Sequence, residues 1–329
     1  MFLILDAPQH VTWLLARAGR VHVLAWLVFA ACASRPVDDP VLQIAWRPLD
    51  SLNADLPAAV RVYAGRSERM PLRAWYVRIV ESDPAVETRV MVSDDETDRR
   101  ESATSFARDS GACVVVNGGY FSMNQTPAHH AGLLKVDNEI WQPATRTVTR
   151  NSQSYEATRA AIGFTGDDSI SIGWITTRND TLYSWPQPPA HRPGRPAPPL
   201  AYEHARVWEM RDALGAGPVL VWDGRVRVAA DEEIFFGSSI PEVHPRTAAG
   251  RTEDGSLLLL VVDGRQTQSR GVDLDELARM MRGLGAVQAL NLDGGGSSTL
   301  VVNGVVVNRP VGGTAEREVM SALVTFCDR

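Results

Sequence analysis

Between Leu257 and Leu292 the chain carries a strand–helix–strand pattern that limits its fold more than any other stretch. Leu257–Val262 is an unbroken apolar run, the pattern of a strand buried on both faces. Asp273 then stands where a helix N-cap belongs, and Glu276 completes a capping box. Leu274, Leu277, Ala278, Met281 and Leu284 recur at helical spacing and form one apolar face. Gly285 supplies the stop. Val287–Leu292 is the next strand, and it runs into Asp293 and a row of glycines. A strand, a helix and a strand of these lengths predict a βαβ unit and therefore some parallel pairing. The expected fold class is α+β (mixed α/β): a central mixed, partly parallel sheet flanked by helices, with added β-hairpins.

The rest of the chain is punctuated by tight-turn signals. Asp137-Asn138, Asp223-Gly224 and Asn303-Gly304 each separate two apolar runs and predict hairpins. Ala160–Phe164 and Ser171–Ile175 predict another. Ser102–Ser110 reads as a short helix closed by Gly111. Residues 186–199 hold seven prolines in fourteen positions, which rules out a central strand or a helix there. That stretch is a surface loop and the one plausible internal boundary.

The N-terminus has a different character. Arg17 and Arg20 precede the apolar run Val21–Ala31, which is too short for a confident membrane span and has the form of a secretory signal. Phe29-Ala-Ala-Cys32 resembles a bacterial lipobox with Phe29 in the usual leucine place, so Cys32 is the expected lipidation site. The expected division is a signal or lipoprotein leader over 1–33, a linker with the first strands over 34–74, and one domain over 75–329. The expected location is outside the cytoplasm, in the periplasm or cell envelope, with membrane contact through the lipid anchor or signal alone. Cys113 and Cys327 lie in apolar, strand-like runs and are expected to be buried thiols rather than a disulfide.

A net charge of −6 gives no general attraction to nucleic acid, which is excluded as a partner. Lys135 is the only lysine, so any anion contact has to come from arginine or from backbone amides. Three polar loops follow apolar strands, where sheet proteins with parallel strands usually place their sites. They are Asn117-Gly118-Gly119, Asp263-Gly264-Arg265, and Asn291 through Ser298. In the last of these, Gly294, Gly295 and Gly296 let a ligand approach the peptide amides, with the Ser297 and Ser298 hydroxyls beside them and Asp293 at the mouth. His244, Arg246 and Thr247 form a further polar group; a guanidinium such as that of Arg246 pairs naturally with phosphate or carboxylate. His129 and His130 lack a third ligand at convincing spacing, so no metal is expected. A divalent cation shared by Asp263, Asp293 and a phosphate is left open, and no other cofactor is expected.

Taken in order, these blocks carry a resemblance. Asn117–Phe121, Gly215–Val221, His244–Gly250, Asp263–Arg265, Ala289–Leu300 and Arg317–Leu323 together resemble the phosphodiester glycosidase family, over about Trp75 to Phe326. His244 stands where this family commonly has Asn, and Glu318 where it often has Pro. The resemblance implies an enzyme that hydrolyses a sugar-1-phosphodiester at the anomeric C–O bond, on a phosphorylated carbohydrate of the cell envelope or an exopolysaccharide. Asp293 is the first choice for the catalytic carboxylate and Asp263 the second. Arg246 and the amides of Gly294–Gly296 would take the phosphate, with Arg265 or Arg317 assisting. Asn117, Asn291 and His244 would bind sugar hydroxyls or orient the carboxylates. Two other readings compete: cleavage at P–O in a related substrate, and a non-catalytic glycan-binding lipoprotein of the envelope.

Overall fold

The computed structural model describes residues 42–167, 169–312 and 315–327. The leader expected over 1–33, including Cys32, lies outside the described residues. Among the described residues the architecture is antiparallel β throughout. An eight-stranded sheet runs, edge to edge, Ile44–Pro48, Val60–Ser67, Arg73–Ile79, Leu257–Val262, Arg246–Thr252, Ala286–Asn291, Val219–Trp222, Arg225–Val226. A seven-stranded sheet is centred on Arg159–Phe164 and Ile170–Arg178, and a five-stranded one on Val114–Asn117 and Ser321–Cys327. Among the described residues, helices are confined to Ala103–Ser110, Leu274–Gly283 and the single turn Asp50–Asn53, besides three short 3-10 turns.

The expected partly parallel sheet is not what forms. Leu257–Val262 and Ala286–Asn291 do point the same way, as a strand–helix–strand unit requires, but they never pair. The upstream strand Arg246–Thr252 lies between them, antiparallel to both, with Ala248 opposite Leu260 on one side and Asn291 on the other. The helix therefore carries the chain across an intervening strand and not to the adjacent position. Every hydrogen-bonded neighbour in the sheet is antiparallel as a result.

Local signals hold up well. Asp273 accepts from the Glu276 amide at 2.8 Å, and the Glu276 carboxylate accepts from the Asp273 amide at 3.1 Å, completing the capping box. Ser102 caps Ala103–Ser110 by accepting from Ser105 N–H at 3.0 Å, and Gly111 closes it at φ +74°. The hairpin turns at Asp137-Asn138, Asp223-Gly224 and Asn303-Gly304 all adopt positive φ.

Alternation along Leu257–Val262 shows why it is wholly apolar. Leu257, Leu259 and Val261 face a central core shared with Ile162, Trp174 and Leu214 of the second sheet and Val114, Leu300 and Leu323 of the third. Leu258, Leu260 and Val262 face the opposite way, onto Leu274, Leu277, Ala278 and Met281 of the covering helix. Both faces leave water, so no polar residue can alternate in.

Cys113 and Cys327 form a disulfide, with Cα atoms 5.8 Å apart. The expectation of two buried thiols is thereby corrected. The two strands are neighbours, with Thr325 paired to Val114, and this brings together cysteines 214 residues apart. Such closeness follows from strand order and leaves no local trace in sequence.

Candidate active site

The glycine turn is the point where the chain leaves one sheet and enters another. Ala286–Asn291 belongs to the eight-stranded sheet and Leu300–Val302 to the five-stranded one, and residues 292–299 bridge them. Asn117 ties this crossing together. Fully buried at the end of Val114–Asn117, its side chain donates to the Asp293 carbonyl at 2.7 Å. The same carboxamide accepts from the Thr247 hydroxyl at 2.7 Å and the Thr299 amide at 3.2 Å. Gly118 adds a backbone bond from Asp293 N–H at 3.1 Å. Gly119 packs on the Gly215 carbonyl and the His130 ring, with no room for a side chain. The loop expected to bind sugar therefore spends its polar atoms on shaping the turn.

Asn291 is similarly engaged. Its amide lies 2.6 Å from the Tyr120 hydroxyl, 3.1 Å from the Gly217 carbonyl and 2.7 Å from the Leu292 carbonyl. Tyr120 in turn donates to Gly217 O at 2.7 Å. Burial, and next the charge of Asp293, raise the Tyr120 phenol well above its ordinary range, so it stays protonated. Tyr120 was not among the expected site residues although it lies within the Asn117–Phe121 block.

Asp293 lies among these groups. It keeps some accessible surface, yet enough protein surrounds it for desolvation to dominate, and its carboxyl is pushed up to about 6. Ser297, the charge of Arg317 and the Gly294 amide pull the other way. That amide donates to Asp293 Oδ1 at 2.9 Å, and Gly295 N–H donates to Pro245 O at 2.9 Å. Two of the amides expected to hold phosphate are thus engaged within the protein. The hydroxyls of Ser298, Thr299 and Ser321 and the Oδ1 of Asn291 are buried without hydrogen-bond partners among the described residues.

Positive charge reaches the turn from guanidinium groups. A Cβ on Gly296 would lie 2.3 Å from Arg317 Nη2, and one on Gly295 would lie 3.4 Å from Arg265 Nη2. Gly295 also holds φ +63°, which glycine adopts without strain. These glycines are what let two arginines close on the turn beside Asp293. Arg265 is steadied by His244, whose Nδ1 lies 3.1 Å from Arg265 Nη2.

Arg246 is placed otherwise than its sequence setting suggests. Its guanidinium is buried and donates to the carbonyls of Val272 at 3.0 Å, Ile240 at 2.7 Å and Glu242. Burial holds it down at about 10. It clamps the 240–242 loop to the eight-stranded sheet. Asp263 is also buried; its carboxylate accepts from Asn308 Nδ2 and from Arg309 N–H, both at 3.0 Å. Burial raises its carboxyl, and those two donors oppose the shift.

Glu233 also escaped the sequence reading, inside the acidic run Asp231-Glu232-Glu233 that looks like solvated surface. It is wholly buried, accepts from Ala160 N–H, Val219 N–H and Trp174 Nε1, and is pushed up to about 7 by desolvation. Its contacts brace the 216–219 segment whose Gly217 carbonyl receives Tyr120 and Asn291.

Among the described residues, no three His, Cys, Asp or Glu side chains come together as a metal site. A separate depression of about 500 Å³, lined by Lys135, Thr181, Trp208 and Arg211 among others, lies on the seven-stranded sheet and includes none of the expected site residues.

Comparison with known proteins identifies the family. The sequence profile of the phosphodiester glycosidase family matches residues 110–326, a span that holds all the groups described above. The N-acetylglucosamine-1-phosphodiester alpha-N-acetylglucosaminidase of Bos taurus is 28% identical over 216 residues, covering 64% of this chain and 35% of that protein. The chain thus spans about a third of the length of such relatives. In fold it is similar to the zebrafish N-acetylglucosamine-1-phosphodiester alpha-N-acetylglucosaminidase catalytic domain, auto-inhibited by its pro-peptide, with a TM-score of 0.57 and 20% identity over 88% of this chain and 85% of that one. A hypothetical protein from Synechocystis gives a TM-score of 0.57 and 19% identity, over 83% of this chain and 64% of that one. With the profile running through the glycine turn, its flanking strands and both arginines, the chain belongs to the phosphodiester glycosidase family.

Proposed function

We propose that the chain is a hydrolase that cleaves the glycosidic C–O bond of a sugar-1-phosphodiester in a cell-envelope or exopolysaccharide glycan. One observation carries the reading: a raised carboxyl, Asp293, at a glycine turn on which the guanidiniums of Arg317 and Arg265 are packed. A phosphodiester linkage leaves the anomeric carbon as a phosphate monoester, an anion that needs little general-acid help. What the site must supply is positive charge for that anion and a carboxylate near the anomeric carbon. Arg317 and Arg265 supply the charge. Asp293, ionised above about pH 6, acts as nucleophile or activates the water whose oxygen ends on the sugar. Asp263 is the weaker candidate because Asn308 and Arg309 already occupy its carboxylate.

The Cys113–Cys327 disulfide supports an oxidising compartment, in keeping with an exported protein. The reading includes a leader over 1–33 with Cys32 as its lipidated residue, and the domain over 75–329 as the catalytic unit.

Hydrolysis in ¹⁸O-labelled water tests the bond that is cut. Label in the sugar supports C–O cleavage, whereas label in the phosphate establishes P–O cleavage and overturns the proposal. Retention of a glycan with no turnover, unaltered in Asp293→Asn, would make the protein a binding module.

A further inference from the structure

The His244 ring is held from two sides. Its Nε2 lies 2.8 Å from the Ser239 carbonyl, an acceptor, so that nitrogen carries the proton. Its Nδ1 then presents a lone pair, and Arg265 Nη2 lies 3.1 Å from it. Arg265 comes from a loop residue at φ +57°, and its guanidinium rests on Gly295. Gln266 and Ser269 exchange backbone bonds across the base of that loop, at 3.0 and 3.1 Å. The backbone is therefore fixed, while the long arginine side chain gains its direction from the histidine. A guanidinium left to rotate would lose more entropy on meeting an anion than one already aimed.

We propose that His244 is a positioning residue, which accepts a hydrogen bond from Arg265 and so aims that guanidinium across Gly295 at the phosphoryl group of the substrate. The proposal rests on the phosphodiester reading of the site. It differs from a role for His244 in binding a sugar hydroxyl, because the histidine then acts only through Arg265. Burial, and next the neighbouring guanidinium charges of Arg246 and Arg265, opposed by the Ser239 carbonyl and Glu242, hold His244 below the ordinary histidine value. The ring thus stays an acceptor at neutral pH.

A double-mutant cycle tests this with inorganic phosphate as the titrant, using the full chain, His244→Ala, Arg265→Ala and the double variant. Residues in direct contact couple strongly enough to read by calorimetry. His244→Ala should weaken phosphate binding about three- to tenfold with the melting temperature unchanged, and should have no further effect once Arg265 is alanine. His244→Asn, whose side-chain oxygen can take the place of Nδ1, should recover most of the loss. With a sugar-phosphodiester substrate, His244→Ala should lower kcat/KM, with no further effect once Arg265 is alanine. Additive losses in the cycle, or no phosphate binding by the unsubstituted chain, would overturn the proposal. Phosphate binding with the expected coupling but no turnover of any sugar phosphodiester would sink the enzymatic reading and leave the positioning role standing.

Discussion

The carboxamide of Asn117 donates to the main-chain carbonyl of Asp293 across 2.7 Å, joining residues 176 positions apart at the seam between two sheets. Its oxygen simultaneously accepts from Thr247 and Thr299, so one buried side chain spans three segments. The peptide that carries the candidate catalytic carboxylate is thus held by a residue from another strand. Asn117→Ala would leave the Asp293 carbonyl, the Thr247 hydroxyl and the Thr299 amide without that partner. Burial of such orphaned groups costs about 1–3 kcal/mol. Denaturant titration should show a loss of that size, with activity falling further than the residual folded fraction explains.

Asp293→Asn keeps the shape of the side chain and removes its charge. Turnover should fall by at least about a hundredfold while circular dichroism stays unchanged; activity at the original level would remove Asp293 from the mechanism. Stability should move the opposite way. The folded carboxyl titrates near 6 against 3.8 for an ordinary aspartate, so between those values the native state holds the extra proton. The original protein therefore loses stability as pH rises through that window. Asp293→Asn should melt higher than the original at pH 7, and the gap should close below about pH 4.

The same carboxyl should set an acid limb in kcat/KM, rising with pH through about 6. The charge of Arg317 holds that value down from where burial alone would put it. Arg317→Ala should therefore shift the limb upward, toward neutrality, as well as raise KM. A pH–rate profile of the variant that keeps its inflection in place would show that Arg317 does not act on Asp293.

Gly296→Ala places a methyl 2.3 Å from Arg317 Nη2, where the flexible guanidinium has to retreat. The expected outcome resembles the loss of Arg317: a raised KM with little change in melting temperature. Steady-state kinetics beside a thermal melt will check it. A large loss of stability would show that the glycine serves the backbone instead of the arginine.

Cys113 and Cys327 close a loop of 214 residues. Replacing both by serine should lower stability by about 2–5 kcal/mol, read by denaturant unfolding with and without reductant. Reductant should then have no effect on the double-serine protein.

What sequence determined by itself about this protein was local. The capping box Asp273–Glu276, the Ser102 cap, the Asn303-Gly304 turn and the double burial of Leu257–Val262 each depend on residues within a few positions of one another. The glycine turn was legible for the same reason, and so was the family, whose signature blocks survive as short strings. Tertiary structure alone decided the strand order. Nothing between Leu257 and Leu292 announces that Arg246–Thr252 will lie between the two strands, since hydrogen-bond pairing is chosen by the whole sheet. It also decided how the arginines are used. Arg246 looked like the phosphate ligand and is absorbed by three carbonyls, whereas Arg265 and Arg317, from separate loops, converge on adjacent glycines. A guanidinium reaches far enough to serve any of several partners, and only the folded chain settles which are within its range.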